Sequence, residues 1–204
     1  MHLFLTGDIQ VGKSTIIGKV VARLGLAPAG FRTVWDAPDQ KGLERLYILP
    51  FGGAGDSPCQ ASAHGGRERE DGRDGMCDLA RHGVKPAAVR RSGGRMLEIY
   101  PEVFDDTGVR ILADEAAARR ARIVVMDELG FIESGASAFQ SAVLERLDGD
   151  IPVLGVIKPR RTTFLDEVRA RGSVRIMEVT PKNRDALAAE AIAHVRDALS
   201  ACKK

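Results

Sequence analysis

Cysteine is scarce: Cys59, Cys77 and Cys202 are the only three in 204 residues. An odd and sparse set implies no disulfide framework, and a reducing cytoplasm is the expected setting. No apolar run reaches the roughly 20 residues of a membrane span, so insertion into a bilayer is not expected. The chain starts directly on a strand-like stretch from His2, which leaves no room for a signal peptide. An excess of either charge is also missing. The formal net charge is +2, with Arg far outnumbering Lys, which argues against a nucleic-acid surface or an acidic partner. Any anion site must therefore be local. Internal repeats are absent. Cys59 and His64, like Cys77 and His82, are spaced in a way that matches no common zinc pattern, so metal binding there is not expected. His2 and His194 have no partner visible in the sequence and read as structural or surface positions. The single tryptophan, Trp35, reads as packing, with base stacking as the alternative.

The most informative segment is Gly7-Asp8-Ile9-Gln10-Val11-Gly12-Lys13-Ser14. It fits the phosphate-loop pattern of Gly, four residues, then Gly-Lys-Ser/Thr. The apolar run Leu3-Phe4-Leu5 precedes it and an apolar-periodic stretch from Thr15 to Leu24 follows, so the order is strand, loop, helix. Gly7 and Gly12 let the backbone curl so that successive N–H groups face one concavity. The helix that follows adds its positive N-terminal end. In such a loop Lys13 is a mobile charge for the β- and γ-phosphates and Ser14 a hydroxyl ligand for Mg²⁺, with Thr15 completing the grip.

Length and composition suit one domain over residues 1–204, since 44% apolar and 28% charged residues are ordinary for a globular chain. Strands are expected at His2–Thr6, Phe31–Trp35, Arg45–Pro50, Met96–Tyr100, Arg122–Asp127, Pro152–Ile157 and Val174–Val179. Helices are expected at Lys13–Leu24, from a cap at Asp105, Asp106 or Thr107 to Ala121, at Ser137–Leu147, Phe164–Ala170 and Asn183–Leu199. Strands alternating with helices imply an α/β fold with a mostly parallel central sheet covered on both faces. From about 51 to 94 the pattern collapses into Gly and charge, which predicts a mobile or weakly structured insertion.

Asp127 and Glu128 end the most apolar strand. An acid at the tip of a strand near a phosphate loop is the expected Mg²⁺ partner, which points to Asp127. Glu128 points differently and is the candidate to polarise an attacking water; Glu133 adds a third acid nearby. Lys158-Pro159-Arg160-Arg161 follows a buried strand, at the sheet edge where open α/β folds bind ligands. Arg160 or Arg161 is the candidate to neutralise charge on the departing γ-phosphate, the alternative being a solvated basic loop. Thr180-Pro181-Lys182-Asn183-Arg184 follows the last strand and either meets the base or ribose through Asn183 and Arg184 or caps a helix.

Taken together, Gly7 to Thr15, Gly30-Phe31-Arg32-Thr33, Val125-Met126-Asp127-Glu128-Leu129-Gly130, Val153-Leu154-Gly155-Val156-Ile157 and Val179 to Arg184 resemble a small P-loop nucleoside-triphosphatase family. The family is named from a thermophile enzyme and a human cancer-related counterpart. The resemblance covers about residues 1–35 and 120–200. It implies a RecA-like, three-layer α/β/α P-loop fold and Mg²⁺-dependent hydrolysis of ATP, GTP or other triphosphates to the diphosphate, with broad base tolerance. It would place Lys13 and Ser14 on phosphate and metal, Asp127 on Mg²⁺, and Glu128 as the water-activating base. Where the family often has Lys-Met after its Asp-Glu-Ile-Gly turn, this chain has Phe131-Ile132. Two other functions use the same parts. A small nucleotide or metabolite kinase would pass the phosphoryl group to an acceptor, with Arg67, Arg69 and Arg73 as lid cations. A nucleotide-dependent adaptor would bind with little hydrolysis.

Overall fold

The computed structural model describes residues 1–51 and 83–201. In chain order the elements are β1 (His2–Thr6), α1 (Lys13–Leu24), β2 (Ala29–Trp35), β3 (Leu43–Pro50), β4 (Ala88–Arg91) and β5 (Met96–Ile99). Then come α2 (Pro101–Val103), a π-turn at Phe104–Gly108, α3 (Val109–Ala113), α4 (Glu115–Ala121) and β6 (Val124–Leu129). After a short 3₁₀ turn at Ile132–Gly135 follow α5 (Ser137–Asp148), β7 (Val153–Ile157), α6 (Thr163–Ala170), β8 (Val174–Glu178) and α7 (Arg184–Ala201).

The strands form one sheet in the order β5-β4-β3-β2-β6-β7-β1-β8. From β2 to β8 every neighbouring pair is parallel, and β3, β4 and β5 extend the sheet antiparallel. Period-two alternation divides the core. Leu3 and Leu5 of β1 pack with Ile16, Ile17 and Val20 of α1 and with Ala191 and Val195 of α7. Phe4, between them, points to the other face, where Phe139 and Val143 of α5 and Phe164 and Leu165 of α6 lie. The sheet is thus the middle of three layers, the arrangement expected of parallel strands buried on both faces. Every parallel strand ends at the same edge, which gathers the loops after β1, β6, β7 and β8.

Two expectations are corrected. The Gly-rich stretch was expected to be mobile or weakly structured to about residue 94, yet Ala88–Arg91 forms β4, paired with both β3 and β5. Four residues ending in two arginines carry almost no strand signal; partners on both sides supply what propensity does not. Cys59, His64, Cys77, His82, Arg67, Arg69 and Arg73 lie outside the described residues. The helix expected from Asp105–Thr107 starts earlier, at Pro101, with proline in the first turn. Asp105 instead accepts the Phe139 N–H at 2.9 Å and so caps α5 from a different element. The same helical stretch breaks at Asp114, whose carboxylate accepts the Ala117 N–H at 2.8 Å and caps α4.

His2 is buried in β1. The Val153 N–H donates to its Nδ1 at 3.1 Å, so Nε2 must carry the proton that it gives to the Leu147 carbonyl at 3.1 Å. A second proton has no place, and burial lowers the pKa of the ring from 6.5 to about 4. The unfolded chain therefore takes up this proton first as the pH falls. His2 costs no stability above about 6.5 and roughly 3 kcal/mol by pH 4. Buried Glu133, pushed up to about 7 by burial, has the opposite sign: its contribution is full below its ordinary range and is lost as the pH rises to 7. The readout is therefore the difference between the native chain and His2→Asn in urea unfolding at pH 7, 5.5 and 4. That difference should shrink steadily on acidification; a constant difference would mean that His2 does not titrate in this window.

Candidate active site

The loop after β1 curls as its glycines permit. Gly7, Gln10 and Gly12 all have positive φ, at 132°, 63° and 100°. Lys13 opens α1 and folds back over the loop, its Nζ donating to the carbonyls of Gly7 at 3.0 Å and Asp8 at 2.6 Å. Val11 turns inward into the core between α1 and α7, so only its backbone belongs to the loop surface. Ile9 stands exposed.

Two strands away, β6 carries Asp127 and Glu128 to the same sheet edge. The Asp127 carboxylate lies close to the Ser14 side chain. Burial pushes the Asp127 carboxyl up and nearby Glu128 adds to that; Ser14, Lys13 and Arg32 oppose it without cancelling it. Glu128 pairs with Lys158 Nζ at 2.7 Å. That lysine leads the loop after β7, which is tied to β6 by the Lys158 N–H donating to the Leu129 carbonyl at 2.9 Å. Glu133 is fully enclosed and accepts the Gly130 N–H at 2.8 Å. Its backbone carbonyl takes the Gln140 side-chain amide at 2.7 Å. It therefore shapes the turn that follows the two acids rather than facing the cavity.

A cavity of about 730 Å³ lies over these groups. Of the expected residues, Gly7, Asp8, Ile9, Gln10, Gly12, Lys13, Ser14, Thr15, Glu128 and Arg160 line it. Asp127 sits beside it, on Ser14. Arg184 lies next door, in a smaller cavity of about 220 Å³ that shares Gly12 and Thr15 with the first. Arg161 and Asn183 are not brought to it. Arg161 is held 2.9 Å from Asp166 in the first turn of α6. Asn183 closes its own turn, its side chain accepting the Thr180 N–H at 2.8 Å and donating to the Glu178 carbonyl at 2.9 Å.

A family model described as NTPase matches residues 78–192, which include both acids and the loop after β7. Nucleoside-triphosphatase THEP1 of Thermotoga petrophila is 32% identical over 193 residues, spanning 93% of this chain and 90% of that protein. The chain belongs to this nucleoside-triphosphatase family. The cancer-related nucleoside-triphosphatase homolog of Mus musculus is 26% identical over 207 residues, 96% of each chain. The crystal structure of THEP1 from Aquifex aeolicus superposes with a TM-score of 0.60 at 22% identity, over 94% of this chain and 96% of that one. The expected three-layer P-loop fold is thereby confirmed.

Within the nucleoside-triphosphatase fold the cavity also takes residues outside the expected set, among them Trp35, for which base stacking was the alternative to packing. Trp35, Arg90, Phe131 and Pro159 all line the large cavity. Phe131 stands where relatives were expected to carry lysine. Its ring instead supports Arg160, whose guanidinium carbon lies 4.5 Å from the ring centre. The β7 loop thus brings Lys158 onto Glu128 and Arg160 to the cavity wall. The pairing of β6 with β7 brings Lys158 to Glu128, and spacing along the chain gives no hint of it. Arg90 had no signal at all, since it lies within the stretch from 51 to 94 that was read as Gly and charge.

Proposed function

We propose that the protein hydrolyses nucleoside triphosphates to the diphosphate and phosphate, with Mg²⁺ as cofactor and broad tolerance of the base. The observation that carries this reading is the convergence of Gly12, Lys13 and Ser14 of the phosphate loop with Glu128 of the acid strand on one cavity, with the Asp127 carboxylate close to Ser14. A hydroxyl beside a carboxylate is a hard-oxygen pair of the kind Mg²⁺ takes, and a carboxyl raised by burial lacks a full counter-charge. Ser14 and Asp127 would hold the ion, which when bound neutralises charge on the β- and γ-phosphates. The loop amides and Lys13 bind the phosphates. Glu128 accepts the proton of a water attacking the γ-phosphorus, the bond to the bridging oxygen breaks, and the diphosphate leaves with that electron pair. Lys158 orients Glu128. Arg160 stabilises charge on the transferred group, the role the sequence left open between it and Arg161.

The nucleoside runs the other way, toward β8 and Arg184. The cavity there carries an exposed ion pair, Lys19 to Asp185 at 3.3 Å, and cationic Arg184. Such groups offer charge rather than a fixed donor–acceptor pattern, which supports tolerance of the base. Among the described residues no helix is long and apolar enough to cross a membrane, and the scarce cysteines support a cytoplasmic setting. The test is phosphate release from ATP, GTP, CTP and UTP. Release is expected from all four within about tenfold of one another, to stop with EDTA, and to return with Mg²⁺. Hydrolysis that is indifferent to EDTA would remove the metal from the mechanism.

A further inference from the structure

Three residues of the far wall of the large cavity, Trp35, Arg90 and Phe131, are not used by the reading above, and Arg160 stands between them and the γ end of the triphosphate. We propose that Trp35, Arg90, Phe131 and Arg160 form a second binding subsite, for a ligand of the nucleoside monophosphate class. This rests on the proposed direction of the triphosphate, whose γ end faces Glu128 and whose nucleoside points toward Arg184. The sheet order places β7 and β6 between the phosphate-loop strand and β2. At about 4.8 Å per strand, Trp35 at the end of β2 lies roughly 14 Å across the sheet edge from that loop's strand, beyond the acids.

The chemistry of the wall selects the ligand. The Arg90 guanidinium lies over Trp35, its carbon 4.0 Å from the ring centre. Glu44, directly opposite Arg90 on β3, takes its Nε at 2.5 Å. That fixes the plane and leaves the terminal nitrogens as the fork offered to a ligand. Arg160 lies similarly over Phe131 and, among the described residues, is paired with no acid. Immobilised guanidinium planes stack on nucleobases, and their forks match phosphate oxygens in a bidentate way. Phosphate alone would use the forks and leave the planes bare. An uncharged ring would leave Arg160 without a counter-charge. A base carrying a phosphate uses both.

Trp35 is the only tryptophan in the chain, so intrinsic emission reports on this wall alone. The protein is saturated with a non-hydrolysable triphosphate analogue and Mg²⁺, then titrated with AMP, with inorganic phosphate and with adenosine. Equilibrium dialysis of the labelled analogue follows the first site. AMP should change the Trp35 emission saturably while the analogue stays bound, and phosphate or adenosine should bind at least tenfold more weakly. Arg90→Ala should raise the AMP Kd tenfold or more and leave affinity for the analogue, and hydrolysis of ATP alone, within twofold. If that variant proves unstable in thermal unfolding, Arg90→Lys, which keeps a charge for Glu44 but loses plane and fork, should show the same loss. Unchanged emission, release of the analogue one for one by AMP, or full AMP affinity in both variants would overturn the subsite. A chain that binds no analogue fails the hydrolase reading instead, and the AMP titration without it then decides the subsite alone.

Discussion

Replacing Glu128 with glutamine should lower the rate of phosphate release by roughly 10²- to 10⁴-fold and leave triphosphate affinity within a few-fold of the native value. Glutamine matches glutamate in shape and still reaches Lys158, but it cannot take a proton from water. The Lys158 ammonium, 2.7 Å from the carboxylate, also fixes where that carboxylate points. Lys158→Met should therefore cost rate as well, through poorer aim, but less than the loss of the base itself. Single-turnover phosphate release, with binding measured separately, distinguishes the two effects. If Glu128→Gln released phosphate at the native rate, Glu128 would not be the base, and the water would have to be activated by another group facing the cavity. A variant that lost affinity as well as rate would mean that Glu128 holds the bound complex rather than the attacking water.

The residues proposed to carry this chemistry were legible to different degrees. The phosphate loop announces itself because its requirements are local: two glycines with positive φ, a lysine and a hydroxyl at the start of a helix, all within eight residues. Asp127 was legible because a run of β-branched residues that ends in acids reads as a buried strand with a charged tip. The alternation of strands and helices was enough for the three-layer architecture. What the sequence hid depends on pairing across the sheet. Lys158 meets Glu128 because β6 and β7 are neighbours. Arg90 lies on Trp35 because β3 intervenes between their strands and registers Leu46 against both Trp35 and Ala88. Linear order does not contain strand order, and a four-residue strand near the end of a Gly-rich stretch has too little signal to be placed. Asn183 was left open for another reason. Its side chain satisfies the backbone of its own turn, a role that looks the same in sequence as contact with a ligand.

Gly7→Ala should remove both the fold's margin and the site. The expected result is a stability loss of about 2–4 kcal/mol and a fall in triphosphate affinity of at least a hundredfold. Two costs combine at this position. The first is conformational: φ is 132°, in a region that alanine enters only with strain of order 1–3 kcal/mol. The second is collision. A Cβ built on Gly7 lies 2.3 Å from the Val179 carbonyl oxygen, which is backbone and cannot rotate away. Val179 in turn donates its N–H to the Thr6 carbonyl at 2.8 Å, so relief requires parting the chain after β8 from β1 or pushing the phosphate loop off its seat. Gly12 separates the two costs. Its φ is 100°, so strain is present, but the nearest atom to an added Cβ is Arg184 Cδ at 3.8 Å, in ordinary contact. Gly12→Ala should therefore lose affinity, because the amide cradle shifts, while losing clearly less stability than Gly7→Ala. Urea unfolding and equilibrium binding on both variants provide the comparison. Equal stability losses at the two positions would show that the Val179 collision is relieved at no cost. A fully stable Gly7→Ala protein that bound triphosphate normally would mean that the curl of this loop is not what holds the phosphates.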